Sequence, residues 1–444
     1  MSRPVLRILG VCLAASACTT ADIDLGNPPG THTITEDDLR TNLTFLASDE
    51  MGGRLTGTPE LAAAADWIAQ RFVELGLAPA GPAGSYFQDF DLVTFALGSG
   101  ENTLAHGGSR MELGSDFYPL NISATNAASG PLVFVGYGIE AGHIPHSDLG
   151  DGDLGGRVLL MMDGEPGPDD RRSPFDGLVR SEASRDLRKV WAAEARGAAA
   201  VLFVADVANQ NPADDLTDSF AGYWPPDGRR IERFSLRSWV DRVTIPVLRV
   251  SPRMAERMAQ AAGQTLSGMA EAAQAPGGIT PIALGPQPVR VATSVERRTH
   301  TGRNVLGMIP GGNDTLSEEV VIIAAHHDHN GADDEGVFNG ADDDGSGTVG
   351  VLEIAAAYAE AVEHGHQPER TVLFAAWDAE ERGLLGAWHY TEQPTYPLEQ
   401  IAAVLNMDMI GRNEEVPEDG GGRFRGLEPQ TAESNELAIN IIGT

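Results

Sequence analysis

Four clusters of acidic and imidazole residues stand where apolar runs stop. Val320–Asp328 reads VVIIAAHHD, and Gly340–Gly347 reads GADDDGSG. Trp377–Glu381, WDAEE, and Asn406–Gly411, NMDMIG, follow. A carboxylate at the end of a buried strand is costly to hold unless a cation pairs with it. The same pattern in successive segments therefore points to a metal site. Imidazole with carboxylates and no thiolate suits zinc, with manganese or cobalt as geometric alternatives. The carboxylates exceed what one ion needs, which suggests a pair of ions bridged by one of them. Two such ions can share an attacking water and polarise a carbonyl. Taken singly, each cluster has a plainer reading. Glu380-Glu381 suits a solvated helix start, Asp342–Asp344 a loop capping the next helix, His326 a satisfied core histidine, and Asp408 a buried N-cap. It is their recurrence at consecutive strand ends that favours the metal.

The elements around these clusters alternate. Val320–Ala325 is a continuous apolar run, as in a strand buried on both faces. Gly347–Glu363 is helical, with Val351, Ile354, Ala355 and Tyr358 on one stripe. A strand at Thr371–Trp377, a helix at Gly383–Tyr390 and a strand at Ala402–Met407 come next. Such alternation implies a parallel α/β sheet, and ligands bind such sheets beyond the carboxyl ends of the strands. His326, Glu380, Glu381 and Asp408 fall at those ends, and Asp342, Asp343 and Asp344 at the start of the following helix. His327 and His329 receive no role, because neighbours on a strand point elsewhere. His143, His146, His364, His366 and His389 read as surface residues.

The first part of the chain has another texture. Thr35–Asp38 offers a helix N-cap, with Leu39, Leu43 and Leu46 at helical spacing. Leu61–Leu75 reads as a second amphipathic helix stopped by Gly76. The turn-rich Leu46–Glu60, LASDEMGGRLTGTPE, lies between them. From Pro131 short β-rich runs appear, at Pro131–Tyr137, Arg157–Met162, Ala199–Val204 and Ile245–Val250, with one helix at Glu182–Arg196. This stretch has no histidine–carboxylate cluster at ligand spacing and reads as a separate, non-catalytic module.

Composition narrows the function classes. The 444 residues suffice for two or three domains with real cores. A formal charge of −33 argues against a nucleic-acid or anionic-membrane partner, since both would repel the chain. MSRPVLR followed by the short apolar Ile8–Ala17 has the layout of a secretory signal, too short to span a bilayer. Both cysteines, Cys12 and Cys18, lie here, so the mature chain has no internal disulfide. Ala15-Ser16-Ala17-Cys18 is similar to a bacterial lipoprotein cleavage box, with Cys18 as a lipidated membrane anchor. The expected location is the bacterial cell envelope, periplasmic or membrane-anchored, or the medium. No HExxH zinc helix and no GxSxG elbow occurs.

VVIIAAHHD, GADDDGSG, WDAEERGLLGA and NMDMIG resemble, in order, the signature blocks of the co-catalytic zinc aminopeptidase family. That family also includes glutamate carboxypeptidase and the catalytically dead transferrin receptor. LASDEMGGRLTGTPE resembles the segment that opens many bacterial members, and residues 119–286 resemble the protease-associated domain inserted in many of them. The resemblance implies a zinc-exopeptidase-type α/β fold, a mostly parallel sheet flanked by helices with an inserted β-rich module. The divisions are a signal peptide at 1–18, a linker at 19–34, peptidase segments at 35–118 and 287–444, and the insert at 119–286. It also implies two zinc ions. His326 and Asp408 would hold the first, Asp343 would bridge, and Glu381 would hold the second. Glu380 would be the general base, acting on a metal-bridged water to cleave an N-terminal peptide bond. Asp328 would orient the His326 imidazole from behind, and the Asp343–Asp344 bond would be cis. The family's further histidine ligand, downstream of the Asp408 position, has no counterpart after His389, so the expectation is a C-terminally incomplete sequence. Two other readings share the fold: a binding or scaffold protein without turnover, and a glutaminyl cyclase-like acyltransferase with one zinc. The peptide substrate is the partner expected first.

Overall fold

The computed structural model describes residues 34–435 except 143, 169, 171, 176–179, 413–414 and 419–428. The signal and its Cys18, nearly all of the linker, His143 and most of the helix expected over Ala432–Ile442 lie outside the described residues. None of the described helices is long and apolar enough to cross a membrane.

Helix α1, Glu36–Leu46, starts at Thr35, whose Oγ1 accepts the Asp38 N–H at 3.2 Å. Helix α2, Pro59–Glu74, has Thr58 as its N-cap and proline in its first turn, where a missing N–H does no harm. Gly76 ends it with φ of +72°, a conformation that suits glycine.

The main sheet contains β1 (Phe87–Leu97), β2 (Val295–Ile309), β3 (Val320–His326), β4 (Thr371–Trp377) and β5 (Ile401–Asn406). Its order is β1-β2-β4-β3-β5, with Ser235–Leu236 added outside β1 and Ala78–Pro79 beside β2. Parallel pairing is confined to β4-β3-β5, while β1, β2 and β4 pair antiparallel. The expectation of a mostly parallel sheet thus holds for the strands next to the acidic clusters and not beyond them. The reason is the long β1–β2 ribbon, whose register runs unbroken from Leu97↔Val295 to Phe87↔Val305.

Helix α3, Gly347–Glu363, crosses over from β3 to β4. With α2 it covers one face of the sheet, where Ile68, Phe72, Val351 and Ala355 meet Ile323, Ala325, Val372 and Phe374. Helix α4, Leu385–Glu392, covers the other face near Leu373, Ala375 and Trp377. Among the described residues strand β5 is the edge of the sheet, and its Val404 and Leu405 side chains are exposed.

The intervening chain makes a second, eight-stranded sheet of its own. Its parallel centre is Phe134-containing Asn126–Phe134, Val158–Met162, Ala200–Val204 and Val247–Val250. Its strands begin at Thr103 and end at Thr293, wider than the 119–286 read from the sequence. Thr103–His106 and Phe117–Pro119 contribute Leu104 and Phe117 to its core through pairings with Val289–Ala292 and Leu248–Val250. Two histidines expected at the surface are buried. His146 packs edge-on against Phe175 beside Asp148, and His389 stacks on Phe90 at 4.9 Å.

Candidate metal centre

β3, β4 and β5 end side by side, because His326 is level with Trp377 and Ala324 with Asn406. Glu380 and Asp408 follow just beyond β4 and β5, so three adjacent strand ends present His326, Glu380 and Asp408 to one mouth. The fourth contribution comes from the loop that leads into α3. Gly340 there has φ of +56°, the Asp343–Asp344 peptide bond is cis, and both aspartates depart from helical geometry.

The result is a convergence on one nitrogen. His326 Nε2 lies 3.2 Å from Asp343 Oδ1, 3.6 Å from Glu380 Oε2 and 3.9 Å from Asp408 Oδ1. That nitrogen is buried and has no hydrogen-bond partner. Glu381 turns the other way. Its Oε1 is 2.7 Å from His329 Nδ1 and accepts Asn330 Nδ2 at 2.8 Å. A buried, unpartnered imidazole nitrogen ringed by carboxylates fits a borderline divalent cation such as zinc.

Asp328 stands behind His326 but grips more than the ring. His326 Nδ1 is closest to the Asp328 backbone carbonyl, at 3.1 Å, and 3.5 Å from the carboxylate. The carboxylate accepts the backbone N–H groups of Glu380 at 2.9 Å and Glu381 at 3.3 Å. It therefore fixes the start of the segment that carries both glutamates. Thr56 Oγ1 sits between Asp328 and a second buried carboxylate, Asp378, at 3.3 and 3.2 Å.

Three residues at the site were given no role by the sequence reading. Asp344 is wholly buried, and its two oxygens accept the backbone N–H groups of His326, Gly347 and Met409, at 3.0, 3.0 and 3.2 Å. It ties β3, α3 and the loop after β5 together, leaving Asp343 as the aspartate turned toward His326 Nε2. Arg54, also fully buried, donates to the carbonyls of Leu46, His327, Asn339 and Gly340. It is a built-in cation under the acidic loop, and a lone arginine inside a glycine-rich turn was its only sequence signal. His329 was passed over on strand alternation, but β3 stops at His326 and alternation stops with it.

The electrostatics follow from burial and crowding. Burial, then the charges of Asp328, Asp408 and Glu381, lifts Glu380 to about 7. Burial likewise lifts Asp344 to about 7, and Asp408 and Asp378 shift in the same direction. Burial opposes the charged form of His326, yet the carboxylates of Asp328, Asp343 and Asp344 outweigh it and raise the imidazole to about 11. These mutual shifts describe a site short of positive charge. A cavity of about 570 Å³ opens beside Glu380, lined by Trp377, Leu384, Tyr390 and Ile401 among others.

Residues 304–433 match peptidase family M28. Over 131 residues the chain is 37% identical to a probable glutamate carboxypeptidase of Arthroderma benhamiae, covering 29% of this chain and 17% of that protein. Over 113 residues it is 34% identical to a probable leucine aminopeptidase of Trichophyton verrucosum, covering 25% and 30%. The chain thus spans less than a third of the length of these relatives. A solved aminopeptidase from Aneurinibacillus sp. strain AM-1 aligns at 20% identity with a TM-score of 0.44, over 85% of this chain and 71% of that one.

Proposed function

We propose, with residues 304–433 taken as a peptidase family M28 segment, that this chain is an exported zinc exopeptidase that removes N-terminal residues from peptides. The observation that carries the reading is the buried, unpartnered His326 Nε2 facing Asp343, Glu380 and Asp408 within 4 Å. His326, Asp343 and Asp408 would hold one zinc, with Asp343 and Glu381 turned toward a second. Zinc bound there supplies Lewis-acid polarisation of the scissile carbonyl and a more acidic attacking water.

Glu380 is the base. It takes the proton from the attacking water and returns it to the leaving amine. The backbone of Glu380 is held by Asp328, so the carboxylate enters the reaction already aimed. The likeness to a protein described as a probable leucine aminopeptidase supports cleavage from the amino end. The apolar cavity beside Glu380 supports an uncharged terminal side chain. Export and lipid anchoring rest on the N-terminal signal and Cys18, and the second sheet takes the part of a protease-associated module.

The experiment is a zinc count on the purified chain combined with hydrolysis of aminoacyl-anilides, with and without chelator. Zinc-dependent release of the anilide is the expected result. A chain that binds no zinc, or cleaves equally well in chelator, ends the reading.

A further inference from the structure

We infer that Arg230, carried by the intervening chain, is a positioning residue for the peptidase site and acts through Asn330 to hold Glu381. The inference rests on the peptidase reading and gives the intervening chain a part in it. Between Ala200–Val204 and Val247–Val250 that chain leaves the second sheet and lies against the main one. Ser235 and Leu236 pair with Val93 and Leu92 of β1. Trp239 follows, its ring centre 5.8 Å from that of Trp388 on α4, and its Nε1 donates to Glu392 Oε1. Leu236 and Trp239 share an apolar cluster with Ala379 and Leu385, which bracket Glu380 and Glu381. The turn between those brackets is one that side chains disfavour, since Ala379 and Leu384 take φ of +57° and +61°. Such a turn persists only where its surroundings fix it.

Arg230 secures the other flank. Its Nη1 donates to the Asn330 carbonyl at 2.9 Å, its guanidinium lies 4.8 Å from the Phe338 ring centre, and its Nε is 3.8 Å from Asp333 Oδ2. Asn330, Asp333 and Phe338 belong to the loop between β3 and the Asp342–Asp344 segment. That loop folds into a hairpin of two pairs, Ala332↔Val337 and Asp333↔Gly336, too short to be stable unaided. The Gly331 N–H donates to the Gly53 carbonyl at 2.9 Å and ties the loop down on one side, while Arg230 ties it on another. The Asn330 side chain carries the hold onward. Its Nδ2 donates to Glu381 Oε1 at 2.8 Å, and Arg382 donates to its Oδ1. An exposed ion pair as long as that of Arg230 with Asp333 contributes little to stability. What the contact secures is the direction of Asn330, and through it the Glu381 carboxylate.

The test uses the full zinc-loaded chain and an aminoacyl-anilide. Arg230→Ala should lower kcat about tenfold, within what a slightly misplaced group costs, and move KM less than about twofold. Arg230→Lys, which keeps a donor for the Asn330 carbonyl, should recover most of the loss. Asn330→Ala should lower kcat by a similar factor. The double variant should be no slower than Asn330→Ala alone, because residues on one path do not add. Hydrogen exchange across residues 329–338 should quicken in Arg230→Ala, while the second sheet keeps its protection. Wild-type kcat in Arg230→Ala, or losses that multiply in the double variant, overturns the inference and leaves the peptidase reading standing. A wild type without zinc-dependent turnover overturns both. If Arg230→Ala does not fold, Arg230→Met keeps the side-chain stem on Phe338, removes the donor and carries the same expectation.

Discussion

The second sheet and the mouth of the main sheet both bury charge, and they handle it in opposite ways. In the second sheet Lys189 is fully buried, yet its ammonium donates to the carbonyls of Met162 and Gly164. Arg249 meets Asp163 through both ends of its guanidinium. Arg196 donates to the carbonyls of Gly150 and Gly152 in the acidic loop 148–153. Each of these three cations has its partner within the fold. At the mouth of the main sheet, Arg54 is spent on carbonyls, and His326 Nε2 and His329 Nδ1 have no hydrogen bond. Buried charge alone does not mark a functional site, since structural ion pairs bury charge too. Convergent donors left unmatched do mark one, because the desolvation they incur is compensated only by something from outside.

The contrast can be broken or sharpened by measurement, beginning with the largest effect. Glu380→Gln should lower anilide turnover about 10²–10⁴-fold, the range of a lost general base, while zinc content stays at the wild-type value. Retained turnover would show that the proton is handled elsewhere. Chelation should come next. Zinc held at about 100 times its dissociation constant adds about 2.7 kcal/mol to stability, so the denaturant midpoint should drop on its removal. Lys189→Met should cost about 1–3 kcal/mol, since buried carbonyls lose their donor, with zinc content and turnover unchanged. Loss of zinc in that variant would erase the distinction between the two regions.

A further test is the response to pH of the zinc-free protein. Glu380 and Asp344, lifted to about 7, and His326, lifted to about 11, hold protons in the folded state that the unfolded chain has released. Their stabilisation is full below the ordinary pKa of each group and is lost as pH rises through the folded value. His327, lowered to about 4 by burial, works in the other direction only below 6.5. Between pH 6.5 and 8 the unfolding free energy from urea titration, and with it the midpoint, should therefore fall, the former by at most about 1.4 kcal/mol per pH unit for each proton. Glu380→Gln should flatten the slope, and a midpoint that rises over this window would contradict the assignment.

Much of the framework was legible before any coordinates. Gly347–Glu363 and Thr371–Trp377 have the observed bounds, because an apolar stripe of helical period and a bounded apolar run leave few alternatives. The approach of His326, Glu380 and Asp408 was also visible, through their common place at strand ends, and Asp343 through its place at the start of the following helix. The β1–β2 ribbon was not, because VERRTHTGR in Val295–Ile309 carries charge on a strand whose partner, Phe87–Leu97, lies on the far side of the second sheet in sequence. Asp344, Arg54 and His329 escaped for a related reason. Their roles are hydrogen bonds and close packing between segments distant in the chain, such as Arg54 to Gly340, which no local period records.

The grip of Arg54 has a consequence for biosynthesis. Its guanidinium joins Leu46, made early, to His327, Asn339 and Gly340, made late, and the entire second sheet is synthesised between them. A nascent chain cannot bring these carbonyls together until residue 340 has left the ribosome. The loop that carries Asp343 therefore gains this anchor only after the whole second sheet has been synthesised.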